Sequence, residues 1–229
     1  ELTDDELAAW KGSERVIYLG HTGLITHSRG ESVSDIVFGG VIVKSGSRGD
    51  NWTVVLPDGR TGEVKKGETA DFSTWAANAS IEPQGLVRFA RSFLGTPYLW
   101  GGTSSKGFDC SGFTKIIYYS GGVIMTRDAS SQFKYGDEVS IEKPCESLAP
   151  GDLLYFGSVR NRITHTGMFI GDTEFIHASG SGMVIINSFD STRTNYSAHL
   201  LEILQGARRV TDFTEGKGLE RVSRHGWYF

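Results

Sequence analysis

Glycine sets the tightest limit on what this chain can fold into. It supplies 30 of 229 residues, nearly twice the usual share of about 7%. The glycines fall between short apolar runs, with no G-X-Y period, and only five prolines accompany them, so a collagen-like chain is excluded. Such punctuation supplies many tight turns and close backbone approaches. With aromatic residues at 11%, it points to a β-rich enzyme or barrel.

Other classes fall away on charge and hydropathy. Hydrophobic residues at 38% and charged residues at 22% set disorder aside. The formal net charge is −4 and no basic stripe runs along the chain, which argues against a nucleic-acid partner. Arg208, Arg209, Lys217, Arg221 and Arg224 gather near the C-terminus, but acidic residues interrupt them and they read as a solvated tail. No run approaches the roughly 20 apolar residues of a membrane helix, and no signal-peptide pattern opens the chain. The sequence begins at Glu1 without an initiator Met, which reads as a mature or trimmed form.

Along the chain, residues 1–14 hold a short acidic helix, or the remnant of a preceding domain, with Thr3 as N-cap and Gly12 as stop. Residues 15–72 break into five short β-segments and read as a small barrel. The step WTVVL-PDGR-TGEV is a hairpin signal, because Pro57 suits turn position i+1 and Gly59 tolerates φ > 0. No titratable constellation lies there, so the expected role is binding or positioning. Residues 73–83 read as a polar linker closed by Pro83. A helix follows, with Leu86, Phe89, Ala90, Phe93 and Leu94 at helical spacing and Gly95 as its end. After the loop TPYLWGGTSSKGFD a second helix begins at Cys110, with Phe113, Ile116 and Ile117 inward and Gly121 as stop. Beyond Pro150 the chain becomes strands, so residues 84–210 read as an α+β domain and 211–229 as a tail.

Cys110 stands where the glycine-rich loop enters its helix. Backbone N–H groups and the helix dipole there favour an anion, which should depress the thiol pKa toward thiolate. The same groups suit a developing oxyanion. The opposing reading is an inert buried cysteine. A nucleophile also needs a base and something to orient it. Among six histidines, His165 and His177 share one expected hairpin. A three-residue loop at 171–173 pairs Ile170 with Glu174 and Gly167 with His177, and places both histidines on one face. A two-residue loop places them on opposite faces. Cys110, Cys145, His165 and His177 match no common zinc spacing.

The strings GTPYLWGGTSSKGFDCSGF, LAPGDLLYF and ITHTGMFIGDTEFIHAS, in this order, resemble the NlpC-type cysteine peptidases of bacterial cell-wall metabolism. The resemblance covers residues from about 84 to 210 and is closest to the dipeptidyl-peptidase VI type, the γ-D-glutamyl-L-diamino acid endopeptidases. Residues 15–72 resemble the bacterial SH3-like domain that often precedes such a catalytic domain. The resemblance implies a papain-like α+β domain after a small SH3-like β-barrel, with no cofactor or metal. It makes Cys110 the nucleophile, His165 the general base, His177 the orienting residue and Tyr98 an aid to the oxyanion. Asp109 and Ser111 match residues that hold the substrate's free amine, and Asp128 falls where a further substrate contact is expected. For Tyr98 and Asp128, a core aromatic and a helix or turn cap are the competing readings.

The implied substrate is a peptidoglycan stem peptide, L-Ala-γ-D-Glu-diamino acid, cut at the γ-D-glutamyl bond. Location stays open between the cell envelope and the cytoplasm. In the subgroup a further SH3-like domain helps wall off the cleft; this sequence shows one such segment, which weakens the expectation of strict free-amine specificity. Two other classes stay open: a papain-like acyltransferase or amidase using the same Cys-His-His set, and a non-catalytic wall-binding protein.

Overall fold

The structure, a computed structural model, describes residues 3–211 and 218–229. Residues 1–2 and 212–217, which include Lys217 and part of the expected tail, lie outside the described residues. The chain forms two compact units: residues 1–79 with 222–229, and residues 80–221.

The first unit opens with helix α1 (Asp4–Gly12), where Thr3 and Glu6 close a reciprocal capping box. Seven strands follow: β1 (Arg15–Tyr18), β2 (Thr22–Thr26), β3 (Ser32–Val37), β4 (Val41–Arg48), β5 (Asn51–Val55), β6 (Thr61–Lys65) and β7 (Thr69–Asp71). They make one antiparallel sheet in the order β3-β2-β6-β5-β4-β1-β7. The β5–β6 turn is the one the sequence signals. Leu56 N–H donates to the Arg60 carbonyl at 2.8 Å, and Gly59 takes φ 84°. Val16, Tyr18, Ile25, Ile36, Ile42, Val54 and Val64 form the small core. The expected barrel differs in two respects. There are seven strands rather than five, and the edge strands β3 and β7 share no ladder, so the sheet does not close. One edge, β7, is only three residues long and runs straight into helix α2 (Phe72–Asn78), whose N-cap Asp71 accepts from Thr74 N–H at 2.8 Å. Residues 73–78, expected within a linker, are therefore helical. Residues 222–229 also depart from a solvated tail, since Phe229 stacks on Phe72 with centroids 5.5 Å apart.

The second unit contains α3 (Pro83–Arg91), β8 (Thr103–Ser104), β9 (Gly107–Phe108), α4 (Cys110–Ser120), β10 (Val123–Met125), α5 (Ala129–Gln132), β11 (Asp137–Val139) and α6 (Pro144–Ser147). Then come β12 (Leu153–Phe156), β13 (His165–Gly171), β14 (Glu174–Ala178), β15 (Val184–Ser188), α7 (Ala198–Glu202), β16 (Leu204–Arg209) and β17 (Leu219–Arg221). Six of the strands make a sheet in the order β11-β16-β12-β13-β14-β15. Its central strands are buried on both faces. Phe93, Phe108, Phe113 and Ile117 pack with Met168 and Ile176 on the helix side, and Phe156, Phe169, Phe175 and Phe189 form a second cluster. A fully buried Phe or Ile contributes about 1.5–3 kcal/mol relative to exposure. The first cluster fixes α4 against β13 and β14, the three elements that carry Cys110, His165 and His177. Helix α3 stops at Arg91, short of the expected Leu94, in a turn that leads to Gly95 at φ 82°.

Candidate active site

Cys110 is the first residue of α4. Asp109 caps the helix, with its Oδ1 accepting from Gly112 N–H at 2.7 Å. Its Oδ2 accepts from Gly101 N–H at 3.0 Å, which ties the glycine-rich loop to the helix start. That approach is close enough to require glycine at 112, because a Cβ there would lie 2.0 Å from the Gly102 carbonyl oxygen. Gly112 of the DCSG string is thus a packing requirement.

Arg127, which the sequence reading passed over, is the main partner of this turn. Its guanidinium pairs with both Asp109 oxygens, one bond being 3.1 Å, and donates to Ser111 Oγ at 3.0 Å. Ser111 Oγ donates in turn to Asp109 Oδ1 at 3.3 Å. Burial pushes the Asp109 carboxyl up, but the Arg127 bond, the Gly112 and Gly101 N–H groups and the Arg127 charge outweigh it and hold the carboxyl below its ordinary value. The signal available in the sequence was adjacency: Arg127 directly precedes Asp128 in RDASSQ.

The thiol corrects an expectation. Cys110 is only 8% exposed. Burial raises its pKa and the Asp109 charge raises it further. The Thr166, Ser111 and Cys110 N–H groups pull it down by less, and the net shift is upward rather than toward thiolate. The helix N-terminus does supply donors to the sulfur, but desolvation wins.

The β13–β14 hairpin settles the histidine register. Its loop has two residues, Asp172 and Thr173, both at positive φ (50° and 65°), as a primed hairpin turn requires. On loop length alone the histidines would face opposite ways. A bulge at Ile170 reverses that outcome: Gly171 rather than Ile170 opposes Glu174, yet Met168 still pairs with Ile176. Gly167 therefore faces His177, where a Cβ on Gly167 would lie 2.9 Å from the His177 Cβ. His165 and His177 share one face, with His165 Nε2 2.8 Å from His177 Nδ1. His177 Nε2 is 2.9 Å from Asn187 Oδ1, a second partner the sequence reading missed. Asn187 is the lone amide in the apolar run MVIINSF. Burial, and then the neighbouring His177, press the His165 pKa down to about 3. Burial lowers that of His177 as well, against an opposing bond to Asn187.

The α4 side of this set lines a cleft of about 380 Å³, and Ile163 and Thr164, just before His165, line it as well. Tyr98, Asp109, Cys110, Ser111, Arg127 and Asp128 all face it, and Trp100 stands at its mouth, 87% exposed. Burial raises the Tyr98 hydroxyl pKa, and negative charge at Cys110 and Asp109 adds to the shift. Asp128 occupies the N-cap position of α5, yet its side chain makes no capping bond and is exposed in the cleft. Thr166 N–H reaches the Cys110 sulfur, which joins the nucleophile to the strand residue after His165. Cys145 lies exposed in α6. Among the described residues no cluster of three His, Cys, Asp or Glu side chains is placed to hold a metal, and no helix is long and apolar enough to cross a membrane.

Residues 95–203 match the NlpC/P60 family. A γ-D-glutamyl-L-lysine dipeptidyl-peptidase of Bacillus cereus (strain ATCC 10987 / NRS 248) is 35% identical over 130 residues, covering 56% of this chain and 38% of that protein. A γ-DL-glutamyl hydrolase of Bacillus subtilis (strain 168) is 34% identical over 115 residues, 49% of this chain and 27% of that one. The crystal structure of an NlpC/P60 family protein from Bacillus cereus ATCC 10987 superposes with a TM-score of 0.77 at 27% identity, over 90% of this chain and 66% of that chain. The chain matches less than half the length of these two curated relatives.

Proposed function

We propose, from the match of residues 95–203 to the NlpC/P60 family, that the chain is a cysteine peptidase that hydrolyses the γ-D-glutamyl–diamino acid amide bond of peptidoglycan stem peptides. The observation that carries the reading is the cleft itself. A cysteine at a helix N-terminus opens into it, and its sulfur takes the N–H of Thr166, the strand residue after His165 of a histidine pair joined at 2.8 Å.

In the proposed reaction the Cys110 thiol gives its proton to His165 as the sulfur attacks the γ-carbonyl carbon. The resulting oxyanion is met by N–H groups at the start of α4, with Tyr98 beside them. His165, now an imidazolium, protonates the leaving amine as the C–N bond breaks, and His177 holds its ring in place. Water then loses a proton to His165 and attacks the thioester carbonyl. Collapse breaks the C–S bond and frees the γ-glutamyl carboxyl group, which gives its own proton to solvent, while His165 returns its proton to the sulfur.

The free amine of the substrate's L-Ala is read as bound by Asp109, Ser111 and Asp128. Because Asp109 already carries Arg127, Asp128 is the carboxylate with charge to spare. An ammonium–carboxylate bond in a partly desolvated cleft is worth about 1.5–3 kcal/mol, or roughly 10- to 150-fold in binding. The N-terminal antiparallel sheet is read as an SH3-like module that binds or positions substrate, by its resemblance in sequence.

The test is a digest of L-Ala-γ-D-Glu-diamino acid peptides and their N-acetylated forms, followed by mass spectrometry. Release of L-Ala-γ-D-Glu with a transient acyl adduct on Cys110, slowed at least about tenfold by acetylation, is expected. Equal rates on both forms would leave a broad endopeptidase. Cleavage that persists in Cys110→Ala would end the thiol reading.

A further inference from the structure

The histidine pair does not end at His177, and the geometry points to Asn187 as a positioning residue that dictates which nitrogen of each ring carries its proton. The argument starts from an atom whose role admits no choice. The Asn195 backbone carbonyl can only accept, and the Asn187 amide nitrogen lies 2.9 Å from it. That bond fixes the orientation of the amide and turns Asn187 Oδ1, again an acceptor only, toward His177 Nε2 at 2.9 Å. His177 Nε2 must therefore carry the proton. In the neutral ring its Nδ1 is then an acceptor, so His165 Nε2 donates across the 2.8 Å contact. The lone pair of His165 is left on Nδ1, the nitrogen not engaged by His177 and so the one available to act as a base.

The alternative chain runs backwards, from His177 Nδ1–H to His165 Nε2, and leaves the His165 Nδ1 already protonated and useless as a base. What disfavours it is Asn187, since His177 is 2% exposed and a lone pair at Nε2 would then face the amide oxygen. The scaffold behind Asn187 is built to hold that carbonyl. Strand β15 places Asn187 two positions beyond Ile185, the cross-strand partner of His177, and so on the same face. The Asn195 carbonyl also accepts from Ser188 N–H at 2.9 Å, and the Asn195 side chain donates to Glu174 at 3.0 Å. Arg193 ties the same loop to Asp172 at 2.6 Å. A loop distant in sequence thereby sets the direction of a proton chain that ends at His165 Nδ1.

The inference rests on the peptidase reading for its rate measurement alone; the proton assignment is read separately. Long-range ¹H–¹⁵N spectra of the full chain near pH 7 should show His177 and His165 each protonated on Nε2. Asn187→Leu should move the proton of both rings to Nδ1 and lower kcat on the free-amine peptide about 10- to 100-fold with KM unchanged. Asn187→Asp, which keeps an acceptor toward His177, should restore the Nε2–H form and most of kcat. A wild-type spectrum with His177 protonated on Nδ1 overturns the inference whatever the variants do. So does an Asn187→Leu protein that keeps both Nε2–H signals and a rate within about twofold of wild type. Correct spectra in a wild-type protein that leaves the peptide intact would instead sink the peptidase reading.

Discussion

The two sides of the candidate site, the turn at Cys110 that lines the cleft and the buried histidine hairpin behind it, are built on opposite electrical principles. On the α4 side the groups are ionic: Asp109, Arg127 and Asp128 stand within one turn of the nucleophile or directly across from it. On the hairpin side they are neutral dipoles in series, His165 to His177 to Asn187 to a backbone carbonyl. Burial explains the division. Phe156 and Phe175 lie tilted against the two rings, with centroids 5.6 and 5.4 Å away, so a fixed charge there is costly. The ionic wall faces solvent, where an ion pair is tolerated and a charged substrate end can be met. Cys110 has its thiol pKa raised and takes the N–H of Thr166, the residue after His165, whose own pKa is lowered. Both shifts favour the neutral forms, and in the proposed reaction charge separates only as the bond to the substrate forms.

The contrast breaks first at the proton-transfer unit. Cys110→Ala and His165→Ala should each lower turnover by about 10⁴-fold or more, since nucleophile and base fail as one unit. His177→Ala, which removes orientation rather than the base, should lower kcat by about 10²-fold. Steady-state kinetics on the free-amine peptide checks both, and a His165→Ala protein within tenfold of wild type would reassign the base.

Acid should attack the neutral wall selectively. Both histidines have folded pKa values below 6.5, so at lower pH the unfolded chain binds protons that the folded chain refuses. Stability is fully present above about pH 6.5 and falls as pH drops below it, by at most about 1.4 kcal/mol per pH unit for each histidine. Denaturant melts at pH 7, 6 and 5 should show this slope in the wild type. A His165→Gln/His177→Gln protein should show a flatter one, and parallel slopes would contradict the burial argument.

The ionic wall gives a smaller loss. Arg127→Met leaves the 8%-exposed Asp109 charge with only backbone N–H donors and Ser111, and should cost about 1–3 kcal/mol after allowance for the partial exposure of Arg127. Adding Asp109→Asn should recover part of that loss in a double-mutant cycle. Strict additivity of the two substitutions would mean that the pair is not coupled.

How much of this was legible in the sequence follows the same division between local and long-range signals. The PDGR turn and the start of α4 at Cys110 are written in residues that sit beside one another. The histidine pairing was legible only as two alternatives, because the bulge at Ile170 arises from hairpin packing and leaves no mark in THTGMFIG. Arg127 and Asn187 were missed for a related reason: each acts on a residue that is distant in sequence, 18 positions from Asp109 and 10 from His177. The sign of the thiol shift was misjudged because helix-terminus chemistry is local and burial is not. The open edges of the N-terminal sheet also depended on where a three-residue strand gives way to a helix.

The smallest expected effect separates the two cysteines. Cys145 is exposed in α6 and does not line the cleft. Cys145→Ser should leave kcat, KM and melting behaviour within error of wild type, and a measurable loss of turnover would place it in the machinery.

The claim that the thiol and imidazole rest neutral is tested most directly by the pH dependence of Cys110 alkylation. Brief iodoacetamide treatment of the Cys145→Ser protein, read by mass spectrometry from pH 5 to 10, gives the rate at one sulfur. The account predicts slow modification at pH 6 and a rate still rising above pH 9, because burial and Asp109 hold the thiol pKa above its ordinary value. A fast, pH-independent rate between pH 5 and 7 would mean a preformed thiolate–imidazolium pair and would contradict it.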